Sequence, residues 1–268
     1  MSIGYLVFLA LVQGITEFLP VSSSGHLMLL HLIAEDEDQM ALLIDIALHA
    51  GTLAAVMLYC RAEVAALIRG LGHLLVRRMT PEASLTLTLM VASVPIFALG
   101  IVVHGYFSAF RESALVIGLA TLGFGLLLGA ADHFRPQALR VPDLGLKRAV
   151  VIGCAQALAL IPGVSRSGII ITAGRALGMT RIEAARLALL TGMPAIAGAG
   201  AVGAYELVQM GDVQLAYDVA IAAILSMLAA LGAIALMFRW LQKLSFMPYV
   251  LYRIALGSAL IGWSLMAA

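Results

Sequence analysis

Gln13-Gly-Ile-Thr-Glu-Phe-Leu-Pro-Val-Ser-Ser-Ser-Gly25 is a polar, proline-broken stretch set in strongly apolar sequence. A second stretch, Gln156-Ala-Leu-Ala-Leu-Ile-Pro-Gly-Val-Ser-Arg-Ser-Gly168, repeats its plan 143 residues later. Both run from a Gln to a Gly with a spacing of twelve, and both place a proline just before Ser-x-Ser-Gly. Proline breaks a helix because it lacks an N–H and its ring clashes with the preceding turn. A duplicated broken segment of this kind is how membrane proteins build a polar site near mid-bilayer. The chain therefore reads as an intramembrane enzyme or transporter, not a passive bundle.

The surrounding composition agrees. Apolar residues make up 62% of the 268 and charged residues 12%, where soluble domains run at roughly 45–50% and about 25%. Mean hydropathy is +1.04. The fold class expected is an all-α polytopic membrane protein, with apolar runs suited to spans at 40–60, 85–105, 113–131, 186–205, 216–238 and 249–267. No Lys or Arg precedes Arg61, so the first apolar stretch lacks the basic region of a cleavable signal peptide. Cys60 and Cys154 lie in or beside apolar sequence and read as small hydrophobes.

The net charge of +1 says little, but its distribution orients the chain. Arg61, Arg69, Arg77 and Arg78 mark a loop around 61–82 as cytoplasmic. So do Arg135, Arg140, Lys147 and Arg148 in the loop 132–148, and Arg239 with Lys243 further on. The acidic run Glu35 to Asp38 and the stretch with Glu206, Asp212 and Asp218 lack basic residues and should face outward. On that assignment neither 1–34 nor 149–182 can cross, and each becomes a re-entrant helical hairpin entered from opposite faces. The expected architecture is one integral domain with an inverted-topology repeat, 1–131 and 144–268, giving six transmembrane helices plus two hairpins. Free backbone groups and charges such as Glu17 and Arg166 are costly in lipid. The two hairpin tips should therefore meet.

Gln13 and Glu17 are four residues apart and share a helix face. Ser22, Ser23, Ser24, Gly25 and His26 follow the break at Pro20. In the second segment Pro162-Gly163 breaks the helix and Ser165, Arg166, Ser167 and Gly168 open the next. N–H groups, hydroxyls and a guanidinium at a helix start make an anion site, with phosphate its natural occupant. Carboxylate, hydroxyl and imidazole suit metal binding, nucleophilic attack and proton transfer. Each element alone has a structural reading, since Ser and Gly also serve close helix packing. The repeat and the complementary charges favour a joint site. Asp45 and His49 form a further i, i+4 pair, suited either to a second metal ligand or to an interhelical contact. Arg253 is expected to snorkel to the cytoplasmic interface.

Residues 13–26 and 162–168, with Tyr252-Arg253 in the last span, resemble the undecaprenyl-diphosphate phosphatase family of the BacA/UppP type, over essentially the whole chain. The resemblance implies a bacterial inner-membrane, multi-pass hydrolase of cell-wall biogenesis. Such an enzyme removes the terminal phosphate of undecaprenyl diphosphate and recycles the lipid carrier. It also implies bacitracin resistance on overexpression and a divalent cation, Mg2+ or Ca2+. The site is expected to open to the periplasmic side. Partners expected are the lipid substrate and membrane lipids, not nucleic acid, with a homodimer left open. Carried over by position, the acidic motif is Gln13 and Glu17, and the catalytic set is Glu17, Ser23, His26 and Arg166. The phosphate contacts are Ser22, Ser24, Ser165, Arg166, Ser167 and Gly168, and the metal residues Glu17, Gln13 and Asp45. Two positions depart from the pattern: Gln13 is not a carboxylate, and Ile170 stands where Thr is usual. Ser23, His26 and water all remain open as nucleophile. A polyprenyl-phosphate flippase would need the same anion cradle but not Glu17, Ser23 and His26.

Overall fold

The computed structural model describes residues 3–34, 39–103, 113–134, 138–210 and 213–267. The acidic run 35–38, residues 135–137 and Asp212, used above for orientation, lie outside them. The described chain is helical, with a single isolated bridge between Leu139 and Met179. Its helices are α1 (Ile3–Thr16), α2 (Ser23–Ala34), α3 (Gln39–Tyr59), α4 (Arg61–Leu75), α5 (Pro81–Val103) and α6 (Ala114–Phe134). They continue with α7 (Gly145–Ala157), α8 (Arg166–Ala176), α9 (Arg181–Met210), α10 (Val213–Leu241) and α11 (Met247–Ala267).

Five of these are long and apolar enough to cross a membrane, over Leu42–Tyr59, Pro81–Val102, Ala114–His133, Gln214–Leu241 and Met247–Met266. The stretch 186–205 lies within α9, a single 30-residue helix whose side chains are described in part. Large apolar side chains such as Ile101, Leu236 and Leu265 point outward, as a lipid-facing surface requires.

The helices flanking the two motifs are shorter. α1 has 14 residues, α2 12, α7 13 and α8 11. At 1.5 Å per residue each reaches only about 17–21 Å, short of a ~30 Å hydrocarbon core. The breaks fall where the prolines predict, between Thr16 and Ser23 and between Ala157 and Arg166. α1 packs on α10, and α7 packs on α5. The short helix of each half thus leans on the middle span of the other. Both crossings are close: a Cβ on Gly14 would come within 2.6 Å of the Ser226 carbonyl, and one on Gly153 within 2.7 Å of the Ala92 carbonyl. α6 and α11 pack together.

One expectation is corrected. The stretch 61–82 is not simply a loop, because Arg61–Leu75 forms α4. Val64, Leu67, Ile68 and Leu71 recur at helical spacing and line an apolar cavity of about 910 Å³ with residues of α3, α5 and α9. The arginines mark the other faces, which hid the period. At the same end, Asp132 accepts from Arg175 at 2.9 Å and Arg181 at 2.8 Å, and Arg186 pairs with Glu183 and Glu63. These arginines tie α4, α6, α8 and α9 together.

Candidate active site

Each motif builds its site from a strained start to a short helix. Ser22 and Ser165, residues preceding α2 and α8, adopt positive φ of 74° and 69°. A positive φ costs a non-glycine residue on the order of 1–3 kcal/mol, and it recurs here at equivalent positions of the two motifs. The Ser165 hydroxyl accepts from the Gly168 N–H at 3.1 Å, a side-chain N-cap. A Cβ on Gly168 would press to 3.1 Å of that hydroxyl, and one on Gly25 to 3.2 Å of the Ser22 hydroxyl. The glycine of Ser-x-Ser-Gly leaves room for the serine three residues earlier.

The tips meet, as the cost of their charges required. An N–H of the Arg166 guanidinium donates to Glu17 Oε1 across the two halves. Glu17 Oε2 accepts from Ser23 Oγ at 2.5 Å and Gln13 Nε2 at 3.0 Å. Ser167 donates to the Leu19 carbonyl at 2.9 Å, a second bond between tips, and Ser165 donates to Ser167 at 3.2 Å. Gln13, Glu17, Ser22, Ser23, Ser165 and Ser167 are all buried. The Arg166 side chain keeps 22% exposure, so donors remain for a ligand. Ser24 is exposed. Ile170 is in the apolar core and Thr172 bonds the Gly168 carbonyl at 2.7 Å, so neither hydroxyl nor its absence touches the pair.

His26 is engaged by Ser22 and Tyr252. Its Nδ1–H donates to the Ser22 carbonyl at 2.7 Å, which leaves Nε2 as acceptor for the Tyr252 hydroxyl at 2.6 Å. The two rings stack at 5.8 Å, 10° from parallel. Asp45 pairs with His31 at 3.0 Å. Its i+4 partner His49 is the one that approaches the site, with Nε2 3.6 Å from Glu17 Oε2.

Arg253 overturns the snorkelling expectation. It is 0% exposed and donates to the carbonyls of Pro20 at 3.2 Å, Gly163 at 3.0 Å and Val164 at 3.0 Å. Further bonds run to Thr121 at 3.1 Å and Ala120 at 3.5 Å on α6. A guanidinium has five N–H donors and no acceptor, so it suits a place where two broken helices leave carbonyls unpaired. Arg253 fastens both tips to the spans.

A divalent cation is tested by the donors present. Among the described residues no three or more His, Cys, Asp or Glu side chains cluster. However, the Gln13 Oε1 and Ser22 Oγ atoms are buried without a hydrogen-bond partner, and the Gln13 amide touches the Glu17 carboxylate through Nε2 at 3.0 Å. Carboxylate, amide and hydroxyl oxygens fit a hard cation.

Fold and site together define a multi-pass membrane protein in which two broken helices meet at a guanidinium and a carboxylate. The chain belongs to the bacitracin resistance protein BacA family, whose model matches residues 6–259. It is 50% identical over 264 residues to an undecaprenyl-diphosphatase of Jannaschia sp. (strain CCS1), covering 97% of this chain and 98% of that one. Proteins of the same description from Ruegeria pomeroyi and Dinoroseobacter shibae are 46% and 45% identical, covering 98% and 97% of this chain and 98% of each relative.

Tyr252, Arg253 and His49 are the site residues that sequence reasoning under-weighted. The Tyr-Arg dipeptide was visible, but nothing in its spacing tells that a span 85 residues beyond the second motif folds back onto both tips.

Proposed function

We propose that this protein hydrolyses undecaprenyl diphosphate to undecaprenyl phosphate and inorganic phosphate, returning the lipid carrier to cell-wall polymer synthesis. The names of its relatives and the family's link to bacitracin resistance support the substrate. The single observation that carries the chemistry is Glu17, bonded at once to Ser23 and Arg166. A nucleophile within hydrogen-bond reach of a base is the arrangement that activates a hydroxyl.

Arg166 binds the terminal phosphate through its free donors, helped by the amide N–H groups at the start of α8. Ser23 Oγ attacks the terminal phosphorus as Glu17 takes its proton. The P–O bond to the bridging oxygen breaks, and undecaprenyl phosphate leaves. Water then releases phosphate from Ser23. Positioning and charge neutralisation do most of the work in phosphoryl transfer. A divalent cation would be held by Glu17 and Gln13, and when bound would neutralise charge on the diphosphate. The isoprenoid chain has an apolar place beside the site: Gly192 lies against Arg166, and its neighbour Met193 lines the cavity between α3, α4, α5 and α9.

The same reading takes 1–34 and 149–182 as re-entrant hairpins of an inverted repeat in the bacterial inner membrane, with the site open to the outer side. A flippase would use the same cradle, but it has no need of the Ser23–Glu17 bond, and that bond favours hydrolysis. The test is phosphate release from purified protein given a polyprenyl diphosphate. Binding without release would leave the transporter.

A further inference from the structure

The acidic motif of this chain carries one carboxylate, because Gln13 occupies its first position. We infer that His49 supplies the donor Gln13 cannot, so that Gln13, Glu17 and His49 form the cation centre of the phosphatase proposed above. His49 Nδ1 lies 2.8 Å from the Asp45 carbonyl, and a carbonyl only accepts, so Nδ1 carries the proton. In the neutral imidazole Nε2 is then a bare lone pair. That lone pair stands 3.6 Å from Glu17 Oε2, too far for a hydrogen bond and with like partial charges facing each other.

A shared cation resolves the arrangement. Two donors on one ion, with bonds of ~2.1–2.2 Å, sit about 3.0–3.6 Å apart. The buried, unpartnered Gln13 Oε1 is the second sign. Its amide already touches Glu17 through Nε2 at 3.0 Å, and a turn of the amide exchanges that N–H for the oxygen. One nitrogen and two oxygens from α1, α3 and the loop after α1 then converge. Imidazole is a poor ligand for Ca2+, which takes oxygen, and a good one for first-row transition ions. The centre therefore favours an ion such as Mn2+ over Ca2+, where oxygens alone suggest Mg2+ or Ca2+.

The rival account is an imidazolium–carboxylate pair, and it predicts the opposite sign. A ligand lost weakens cation binding, whereas a competing positive charge lost strengthens it. The experiment is Mn2+ titration of the full-length, chelator-stripped protein in detergent, read by the electron paramagnetic resonance of free Mn2+, with Ca2+ as competitor. His49→Ala should weaken Mn2+ binding ~10-fold or more. His49→Gln, which keeps shape and an oxygen, should bind Mn2+ at least threefold more weakly and lose the preference over Ca2+. It carries the test if the alanine variant does not fold. Unchanged or tighter Mn2+ binding in the folded variant overturns the inference. Phosphate release is measured separately: a wild-type enzyme that hydrolyses while His49 proves irrelevant to Mn2+ loses this inference alone, and one that never hydrolyses loses the phosphatase reading.

Discussion

Ser22 and Ser165 both hold a positive φ, 74° and 69°, at positions 143 residues apart. The duplication seen in the sequence therefore has a backbone counterpart at this position, and each serine immediately precedes a short helix. A helix start has N–H groups without intrahelical partners and the positive end of the dipole, which favours an anion nearby; at α8 the Ser165 hydroxyl already takes the Gly168 N–H.

Stability at this loop should separate backbone from hydroxyl. Ser165→Ala keeps the strained φ and removes the cap to Gly168 N–H, so it should cost about 1 kcal/mol. Ser165→Gly loses the cap but relieves the strain, and should stay within a few tenths of wild type. Thermal unfolding in detergent reads the difference. Equal losses would show that the strain is not stored at this residue.

Arg166→Lys should lower hydrolysis at least ~100-fold while the protein remains folded. An ammonium cannot hold Glu17 and a phosphate through one planar fork. Phosphate release from a polyprenyl diphosphate measures it. Near wild-type turnover would make Arg166 a structural charge.

Arg253 predicts a folding defect. Arg253→Leu leaves the carbonyls of Pro20, Gly163 and Val164 buried without this donor, at about 1–3 kcal/mol each. The variant should be unstable or absent from the membrane. Arg253→Lys, with three donors, should be intermediate. If Arg253→Leu melts like wild type, the carbonyls have other partners and the staple assignment fails.

What the sequence made legible follows from periodicity and cost. Pro20 and Pro162 marked the breaks, apolar runs marked five helices long and apolar enough to span, and the expense of Glu17 and Arg166 in lipid forced them together. What it hid were contacts between distant elements. Arg253 on a span looks like any snorkelling arginine until the carbonyls it meets are known. Asp45 and His49 were correctly placed on one helix face. Only the packing of α3 against the first motif decides that His49 turns to Glu17 while Asp45 turns to His31. α4 was missed because its arginines read as loop charge.

Orientation is testable without the enzyme's activity. Single cysteines at Arg77 and Asp212, in a background lacking Cys60 and Cys154, should label from opposite sides of the membrane, Arg77 from the cytoplasm. The positive-inside distribution requires it. Labelling of both from one side would remove the inverted arrangement of the halves.

The last prediction separates Ser23 from His26. Ser23 Oγ is 2.5 Å from Glu17 Oε2, whereas both ring nitrogens of His26 are engaged elsewhere, by the Ser22 carbonyl and the Tyr252 hydroxyl. A nucleophile must be near its base, and a residue whose lone pair already receives a proton is poorly placed to attack. Ser23→Ala should therefore abolish turnover, at least ~1000-fold, because among the described residues no second hydroxyl bonds Glu17. His26→Ala should cost less, about 10-fold, through loosening of the Ser22 turn. Tyr252→Phe removes one hydrogen bond, about 1 kcal/mol, and should lower kcat several-fold with little change in KM. The two act through one contact, so the double variant should be no worse than His26→Ala alone. Rates of phosphate release for the four variants decide it. A His26→Ala enzyme as dead as Ser23→Ala would make histidine part of the chemical step, and additive losses would mean that Tyr252 and His26 serve different ends.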